Sequence, residues 1–163
     1  MSSSGLLEKR LVVVTGKGGV GKSTVAAALG LRAAGQGRRT IVAEIGGRGD
    51  VERMFGARES TAAEREVAPG LFTIAIDPGR ALEEYLADQL PARALADLLA
   101  SSRTFGYLTA ATPGLRELLC IGKVWDLAQP RRRAGGGRNS DLVLLSIPAP
   151  EHGTALLAAP RTS

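Results

Sequence analysis

The chain has 163 residues, of which 44% are hydrophobic, and this composition predicts one folded domain and excludes a disordered chain. A net charge of +5 favours an anionic partner such as a nucleotide, a nucleic acid or a lipid surface. The single cysteine, Cys120, excludes an internal disulfide and a four-cysteine zinc site within one chain. No apolar run reaches the ~18 residues that a membrane span needs, so we expect a soluble, cytoplasmic protein without a transmembrane segment.

Short apolar runs alternate with helical patterns along the chain. Four runs rich in valine, isoleucine and leucine predict strands buried on both faces: Leu11–Thr15, Thr40–Ile45, Leu71–Asp77 and Leu142–Ile147. Helical patterns cover residues 22–34, 82–90 and 93–100, and a fourth presents Leu115, Leu118, Leu119, Trp125 and Ala128 as an apolar face, closed by Pro130. Residues 131–140 read as a flexible connector. This alternation predicts an α/β fold of three layers, with a mostly parallel sheet flanked by helices.

The stretch GKGGVGKS, residues 16–23, fits the phosphate-binding pattern G-x-x-x-x-G-K-[ST]. A valine-rich strand precedes it and a helix follows, so backbone N–H groups and the positive end of that helix should converge on phosphates. Lys22 is expected to reach the β- and γ-phosphates, the Ser23 hydroxyl to coordinate Mg²⁺, and Thr24 to lie near the α-phosphate. The alternative is a glycine-rich turn without a ligand. The predicted binding residues are Gly16, Lys17, Gly18, Gly19, Val20, Gly21, Lys22, Ser23 and Thr24.

Lys17 places a second lysine inside this loop. The pattern K-G-G-x-G-K-[ST] resembles the deviant Walker A group of P-loop ATPases, which includes ParA, MinD, nitrogenase iron protein and the ArsA-type ATPases. The resemblance implies that ATP is the nucleotide and that the protein is a homodimer. It also implies that Lys17 crosses the dimer interface and, like an arginine finger, neutralises charge on the partner's phosphates during phosphoryl transfer. The alternative is a solvent-exposed lysine.

Two later segments identify the branch of this group. TPGLRELLCIGKVWDLAQ (residues 112–129) and DLVLLSIPAPEHGTALLAAPRT (residues 141–162) resemble the ArsA-type ATPases, and the resemblance extends from about residue 9 to the end. It implies hydrolysis of Mg-ATP to ADP and phosphate, which drives a dimer rearrangement coupled to an unidentified protein or anion partner. A ParA- or MinD-like partitioning ATPase is the alternative, and a nucleic-acid partner is not expected. The resemblance implies a flexible N-terminus over residues 1–9 and a P-loop nucleotide-binding domain over residues 10–163, without the C-terminal half of the family fold.

The segment VAEIGGRGDVERMFG, residues 42–56, lies where the family has its first switch. The resemblance implies an acidic residue there that polarises the attacking water. Asp50 is the best match by its spacing from the strand and from the Phe55-Gly56 that follows, although it could instead cap a helix that begins at Val51. Glu44 is nearer the strand and could act on metal or on water.

The second switch departs from the family pattern. Aligned without gaps, the family's Asp-Ala-Pro-Ala-Thr-Gly-His-Gly falls on residues 146–153, so Ser146 replaces the Walker B aspartate and Pro150-Glu151 replaces Thr-Gly. A neutral hydroxyl cannot supply the charge with which the aspartate holds Mg²⁺ through its water shell, and proline stiffens the segment that senses the γ-phosphate. We assign no general-base role to His152 without that aspartate. These departures should weaken hydrolysis more than binding, and they leave open a nucleotide-binding module with little or no turnover.

Overall fold

A computed structural model describes residues 3–46, 49–57, 63–81, 84, 114–130 and 139–147 of the chain. The predicted helices at residues 82–90 and 93–100 lie almost entirely outside the described residues, as does most of the connector at 131–140. Pro150, Glu151 and His152 of the second switch also lie outside them.

The described part of the chain folds as a parallel sheet with helices on both faces. Its elements, in chain order, are α1 (Ser3–Leu7), β1 (Leu11–Val14), α2 (Lys22–Gly35), β2 (Thr40–Ile45), α3 (Asp50–Met54), β3 (Arg65–Ala68), β4 (Leu71–Ile76), α4 (Leu115–Ala128) and β5 (Leu142–Ser146). The sheet has the order β1-β5-β2-β4-β3, and only β3 runs antiparallel to its neighbour. The predicted α/β fold with a mostly parallel sheet is confirmed. Among the described residues, no helix combines the length and the apolarity that crossing a bilayer requires.

Two apolar clusters fill the spaces above and below the sheet. On one face, small residues of α2 such as Ala26 and Ala33 pack against Val42 of β2 and Leu144 of β5. On the other face, α4 packs against alternate residues of the same strands, which include Ile41 and Val143. Both faces of β2 and β5 are therefore buried, which explains why these strands are continuously apolar in the sequence.

Strand β3 was not predicted from the sequence. Its four residues, Arg65–Ala68, are only partly buried or exposed, so they lack the apolar run by which the other strands were recognised. A tight turn at Pro69 and Gly70 joins β3 to β4, and Gly70 has a φ of 74°. The Gly70 N–H donates to Glu66 Oε1 at 2.9 Å. Pairing with β4 and this turn, rather than burial, hold β3 at the edge of the sheet.

Helix α4 has the predicted position, and Leu119 and Ala128 of its predicted apolar face are buried. Leu118 and Trp125, which were predicted to belong to the same face, are each 65% exposed. The buried stripe also contains Cys120, Val124 and Leu127, which were not predicted. Apolar residues surround most of the circumference of this helix, so their spacing alone does not select one face, and contact with the sheet decides which residues are buried.

The N-terminal segment, which was predicted to be flexible over residues 1–9, contains a short helix. Residues Ser3–Leu7 form helix α1, and the side chain of Leu7 is only 2% exposed. Leu7 belongs to the same apolar cluster as Val12 of β1 and Ala26 of α2. Burial of this one leucine ties the segment to the core.

The close approach of α2 to the sheet depends on Gly30. A Cβ at this position would lie 2.7 Å from Leu71 Cδ1 and 3.3 Å from Val42 Cγ2. We therefore expect Gly30→Val to lower the free energy of unfolding by about 2–3 kcal/mol, because the added methyl groups overpack a filled interface. Urea denaturation would measure the change. Gly35→Ala is the matched control, since a Cβ at Gly35 meets nothing within 4 Å. Equal stability of Gly30→Val and the natural chain would contradict this account of the packing.

Candidate functional site

The loop of residues 15–21 joins the end of β1 to the start of α2, and most of it is exposed. The parallel strands β1, β2, β4 and β5 all have their C-terminal ends on the same side of the sheet, and this loop lies there. In open α/β sheets, ligands usually bind beside the carboxyl ends of the strands. The fold thus places the predicted phosphate loop where a bound nucleotide is expected.

Gly21 forms the N-terminal boundary of α2 with a φ of 86° and a ψ of 21°, a left-handed conformation that glycine adopts without strain. No side chain caps the helix at this position. The first N–H groups of a helix have no partner within the helix, so a phosphate can take the place of a capping side chain. The start of α2 therefore offers unoccupied donors and the positive end of the helix dipole on the same side of the loop.

The two loop lysines occupy different positions. The Nζ of Lys22 donates to the backbone carbonyl oxygen of Lys17 at 2.9 Å, so the ammonium group is held against its own loop. The side chain of Lys17 is exposed, and only its backbone takes part in this contact. The arrangement keeps the Lys22 charge at the loop and leaves the Lys17 charge facing outward.

A carboxylate from the next strand reaches the start of α2. Ser23 Oγ donates to Glu44 Oε1 at 3.4 Å, and the backbone N–H of Val51 donates to Glu44 Oε2 at 3.2 Å. Glu44 is 5% exposed and lies near the end of β2. Its partner in the register of β5 is Ser146, which is itself 6% exposed and also pairs with Val14 of β1. Glu44 therefore forms hydrogen bonds with the start of α2 and the start of α3. It is also paired with Ser146, the residue aligned with the Walker B aspartate.

The environment of Glu44 disfavours its charged form. Burial raises the pKa of this carboxyl above its ordinary value, and the nearby carboxylates Asp50 and Glu52 raise the pKa further. The hydrogen bonds from Val51 and Ser23 act in the opposite direction and lower it, but burial is the largest effect. A cation placed beside Glu44 would favour the charged form.

Asp50 lies apart from this contact. It is the first residue of α3, whose N-terminal boundary is Gly49 with a φ of 66°, and no side chain caps the helix. The alternative that Asp50 caps a helix beginning at Val51 is therefore wrong. Its carboxylate forms an ion pair with Arg53 on the same exposed side of α3. In the described part of the chain, Glu44 and not Asp50 is the acidic residue hydrogen-bonded to Ser23.

The oxygen atoms of Ser23 and Glu44, at the C-terminal ends of the parallel strands, are suitable ligands for magnesium. No group of three or more histidine, cysteine, aspartate or glutamate side chains among the described residues could hold a metal by itself. Mg²⁺ prefers oxygen ligands and is usually held by one or two protein groups together with phosphate oxygens. The Ser23 hydroxyl and the Glu44 carboxylate are such groups, so the donors fit Mg²⁺ bound together with a nucleotide.

Glu44 was an alternative to Asp50 in the sequence, as a residue that could act on metal or on water, but its link to Ser23 was not predicted. These two residues are 21 positions apart and meet only because β2 ends beside β5 and close to α2. A signal was present in the sequence, since Glu44 is the only charged residue in the apolar run of β2. A charged residue inside a buried strand is uncommon without a partner.

Comparisons with known proteins show the family of this chain. Residues 9–162 match the family of anion-transporting ATPases, the ArsA-type ATPases. ATPase BagA of Mycobacterium tuberculosis is 37% identical over 123 residues, which cover 71% of this chain and 35% of that protein. An uncharacterized protein of Streptomyces coelicolor is 33% identical over 152 residues, which cover 93% of this chain and 37% of that protein. The chain thus spans little more than a third of the length of these relatives, and it belongs to the ArsA-type ATPase family.

Proposed function

We propose that this chain binds Mg-ATP at the loop of residues 16–23 and hydrolyses it to ADP and phosphate. The observation that carries this proposal is the Lys22 ammonium, held 2.9 Å from the Lys17 carbonyl beside the uncapped start of α2. A phosphate would replace that carbonyl as the acceptor for Lys22 and would accept the N–H groups of the helix. Family membership supports ATP as the nucleotide. The proposed location is the cytoplasm, where this nucleotide is available.

Each part of the loop has a proposed role. Backbone N–H groups surround the phosphates, Lys22 binds the β- and γ-phosphates, and Thr24 lies near the α-phosphate. Ser23 holds Mg²⁺ through its hydroxyl oxygen. When bound, the metal neutralises charge on the β- and γ-phosphates during phosphoryl transfer. The glycines that let the backbone approach the phosphates are Gly16, Gly18, Gly19 and Gly21, and Val20 completes the loop.

Catalysis requires two further residues in this proposal. Asp50, at the start of α3, polarises the attacking water, which requires that its ion pair with Arg53 give way. Lys17 acts on the nucleotide of a second copy in a homodimer, and dimer rearrangement couples hydrolysis to an unidentified protein or anion partner. The exposure of the Lys17 side chain supports a contact with a second copy, because an exposed side chain is accessible to a neighbouring molecule.

A second candidate function is a nucleotide-binding module with little turnover. Ser146 favours it, because the family resemblance aligns this residue with the Walker B aspartate. Ser146 is buried and pairs with Val14 at the end of β1. Hydrolysis would be slow where the carboxylate that normally organises the water shell of the metal is missing.

Measurement of ATP binding and of ADP release by the natural chain, Ser146→Asp and Ser146→Asn tests both candidates. We expect the natural chain to bind ATP and release ADP slowly, and Ser146→Asp to raise the turnover by about tenfold, at the low end of the effects seen for groups that orient metal ligands. Ser146→Asn has the shape of the aspartate without its charge and should leave the turnover at the level of the natural chain. Failure of the natural chain to bind ATP would overturn the proposal. Fast turnover that Ser146→Asp does not increase would overturn the interpretation of Ser146.

A further inference from the structure

Glu44 is a buried carboxylate beside the predicted phosphate loop, and the roles proposed above for the loop residues and for Asp50 do not include it. Its side chain is 5% exposed and accepts hydrogen bonds from Ser23 Oγ and from the Val51 N–H. It forms no ion pair within the described residues. A buried carboxylate is costly without a positive partner. The position therefore requires an explanation beyond packing.

The register of the sheet places Glu44 beside the residue that the family pattern expects to be acidic. Glu44 and Ser146 are paired residues of the parallel strands β2 and β5. Paired residues on neighbouring strands project to the same face, and Val42 and Leu144, two positions earlier on each strand, both pack against α2. The Glu44 carboxylate thus lies one strand away from the Walker B position, on the face of the sheet that the start of α2 covers.

The distance from Glu44 to Ser23 is compatible with two ligands of one metal ion. Glu44 Oε1 and Ser23 Oγ are 3.4 Å apart, which is long for a hydrogen bond between these groups. Neighbouring oxygens on an octahedral Mg²⁺ are about 3.0 Å apart, as follows from metal–oxygen bonds of about 2.1 Å. A small approach of the two side chains would bring both oxygens to that spacing. The Val51 N–H fixes the other oxygen of Glu44 and so orients the carboxylate.

We propose that Glu44 supplies to the nucleotide-bound Mg²⁺ the carboxylate that Ser146 cannot supply. The inference rests on the proposed function, because the metal is held between these residues and the phosphates. Glu44 thus replaces, from the neighbouring strand, the charge missing at the end of β5. It also connects the metal to the start of α3 through the Val51 N–H, since one carboxylate contacts both.

The test compares nucleotide affinity with and without the metal, so that it does not depend on hydrolysis. The dissociation constant of a fluorescent ADP analogue is measured in excess Mg²⁺ and in excess EDTA. We expect Mg²⁺ to tighten binding to the natural chain by about tenfold or more, and Glu44→Gln to remove most of that gain, since loss of a group that supports a metal costs about 10- to 100-fold in affinity. Affinity in EDTA should be the same for both proteins, because glutamine keeps the size of the side chain and a carbonyl oxygen that accepts from the Val51 N–H, while its amide NH2 can donate to the Ser23 hydroxyl oxygen. Glu8→Gln, at an exposed position away from the loop, is the matched control.

A second variant separates the charge from its position. Ser146→Asp, introduced into the Glu44→Gln protein, should restore the gain in affinity from Mg²⁺, because it returns a carboxylate to the neighbouring strand. Electron paramagnetic resonance of Mn²⁺ in place of Mg²⁺ gives an independent readout, in which the natural chain with ADP should retain more bound metal than Glu44→Gln with ADP.

The outcomes distinguish this inference from the proposed function. If the natural chain binds no nucleotide in either condition, the proposed function fails. If Glu44→Gln binds nucleotide with the full Mg²⁺ gain of the natural chain, the inference about Glu44 fails and nucleotide binding stands. Loss of affinity in EDTA as well as in Mg²⁺, in a variant that keeps its circular dichroism spectrum, would also overturn the inference, since Glu44 would then support the loop rather than the metal. If Glu44→Gln does not fold, Glu44→Asp decides, because aspartate keeps the charge but withdraws the carboxylate by one methylene from Ser23. A smaller Mg²⁺ gain than that of the natural chain supports the inference, and an unchanged gain contradicts it.

Discussion

Lys22→Ala is expected to weaken ATP binding by about 100-fold or more while leaving the fold intact. Charge-assisted hydrogen bonds to phosphate contribute about 1.5–3 kcal/mol each, and loss of about 2.7 kcal/mol corresponds to a 100-fold change in the dissociation constant. The effect on stability should be small, because the Lys22 side chain forms a single hydrogen bond among the described residues, the exposed contact with the Lys17 carbonyl. Equilibrium titration with a fluorescent ATP analogue, together with thermal unfolding without nucleotide, measures both quantities.

The matched control for this prediction is Lys9→Ala. Lys9 is an exposed lysine that precedes β1, and its removal changes the net charge of the chain by the same amount. If general electrostatic attraction caused the binding, both variants would lose affinity equally. Affinity of Lys22→Ala equal to that of the natural chain would rule out the loop as the phosphate site.

The parallel strands could be predicted from the sequence because strands buried on both faces are continuous runs of apolar residues. The run Thr40–Ile45 was predicted with the bounds that the structure has, and the other three parallel strands differ by one residue at their ends. Strand β3 has no such apolar run, since it pairs on one side only and its residues are partly exposed. Helix α4 shows the opposite difficulty, because a helix with apolar residues on most sides has no single face that the sequence can identify.

The strand, loop and helix of the predicted phosphate site could be predicted because all of their parts are consecutive in the chain. The strand, the glycines, Lys22 and Ser23 follow one another within residues 11–23, so short-range geometry determines their arrangement. The link from Glu44 to Ser23 depends on strand order, register and the position of α2 above the sheet. Residue spacing does not contain that information, which is why Asp50 matched the family pattern better in the sequence while Glu44 contacts the loop in the structure.

Lys17→Ala should leave ATP affinity within about twofold of the natural chain and lower turnover by about 10³-fold, the smaller end of the range for an arginine finger. The contact between Lys22 and residue 17 uses the backbone carbonyl, and alanine retains that carbonyl, so the loop of the variant should keep its geometry. The exposed ammonium of Lys17 is the group that is lost. Titration with ATP and measurement of phosphate release, each over a range of protein concentrations, would separate binding from turnover. Turnover per chain in the natural protein should fall on dilution, because the proposed active unit is a dimer.

Mixing the two lysine variants tests whether Lys17 acts on a second copy. Lys22→Ala keeps Lys17 and should bind ATP poorly, whereas Lys17→Ala should bind ATP but lacks the proposed catalytic lysine. In a mixed dimer, the Lys17→Ala subunit would bind ATP and receive Lys17 from its partner. Random pairing at equal concentrations makes about half of the dimers mixed, each with one competent site, so about a quarter of all sites should be active. Recovery of turnover to about that fraction of the natural rate, from two variants that are each inactive, requires action across an interface. If the mixture stays inactive while the natural chain turns over at a rate independent of its concentration, Lys17 acts within its own loop or not at all.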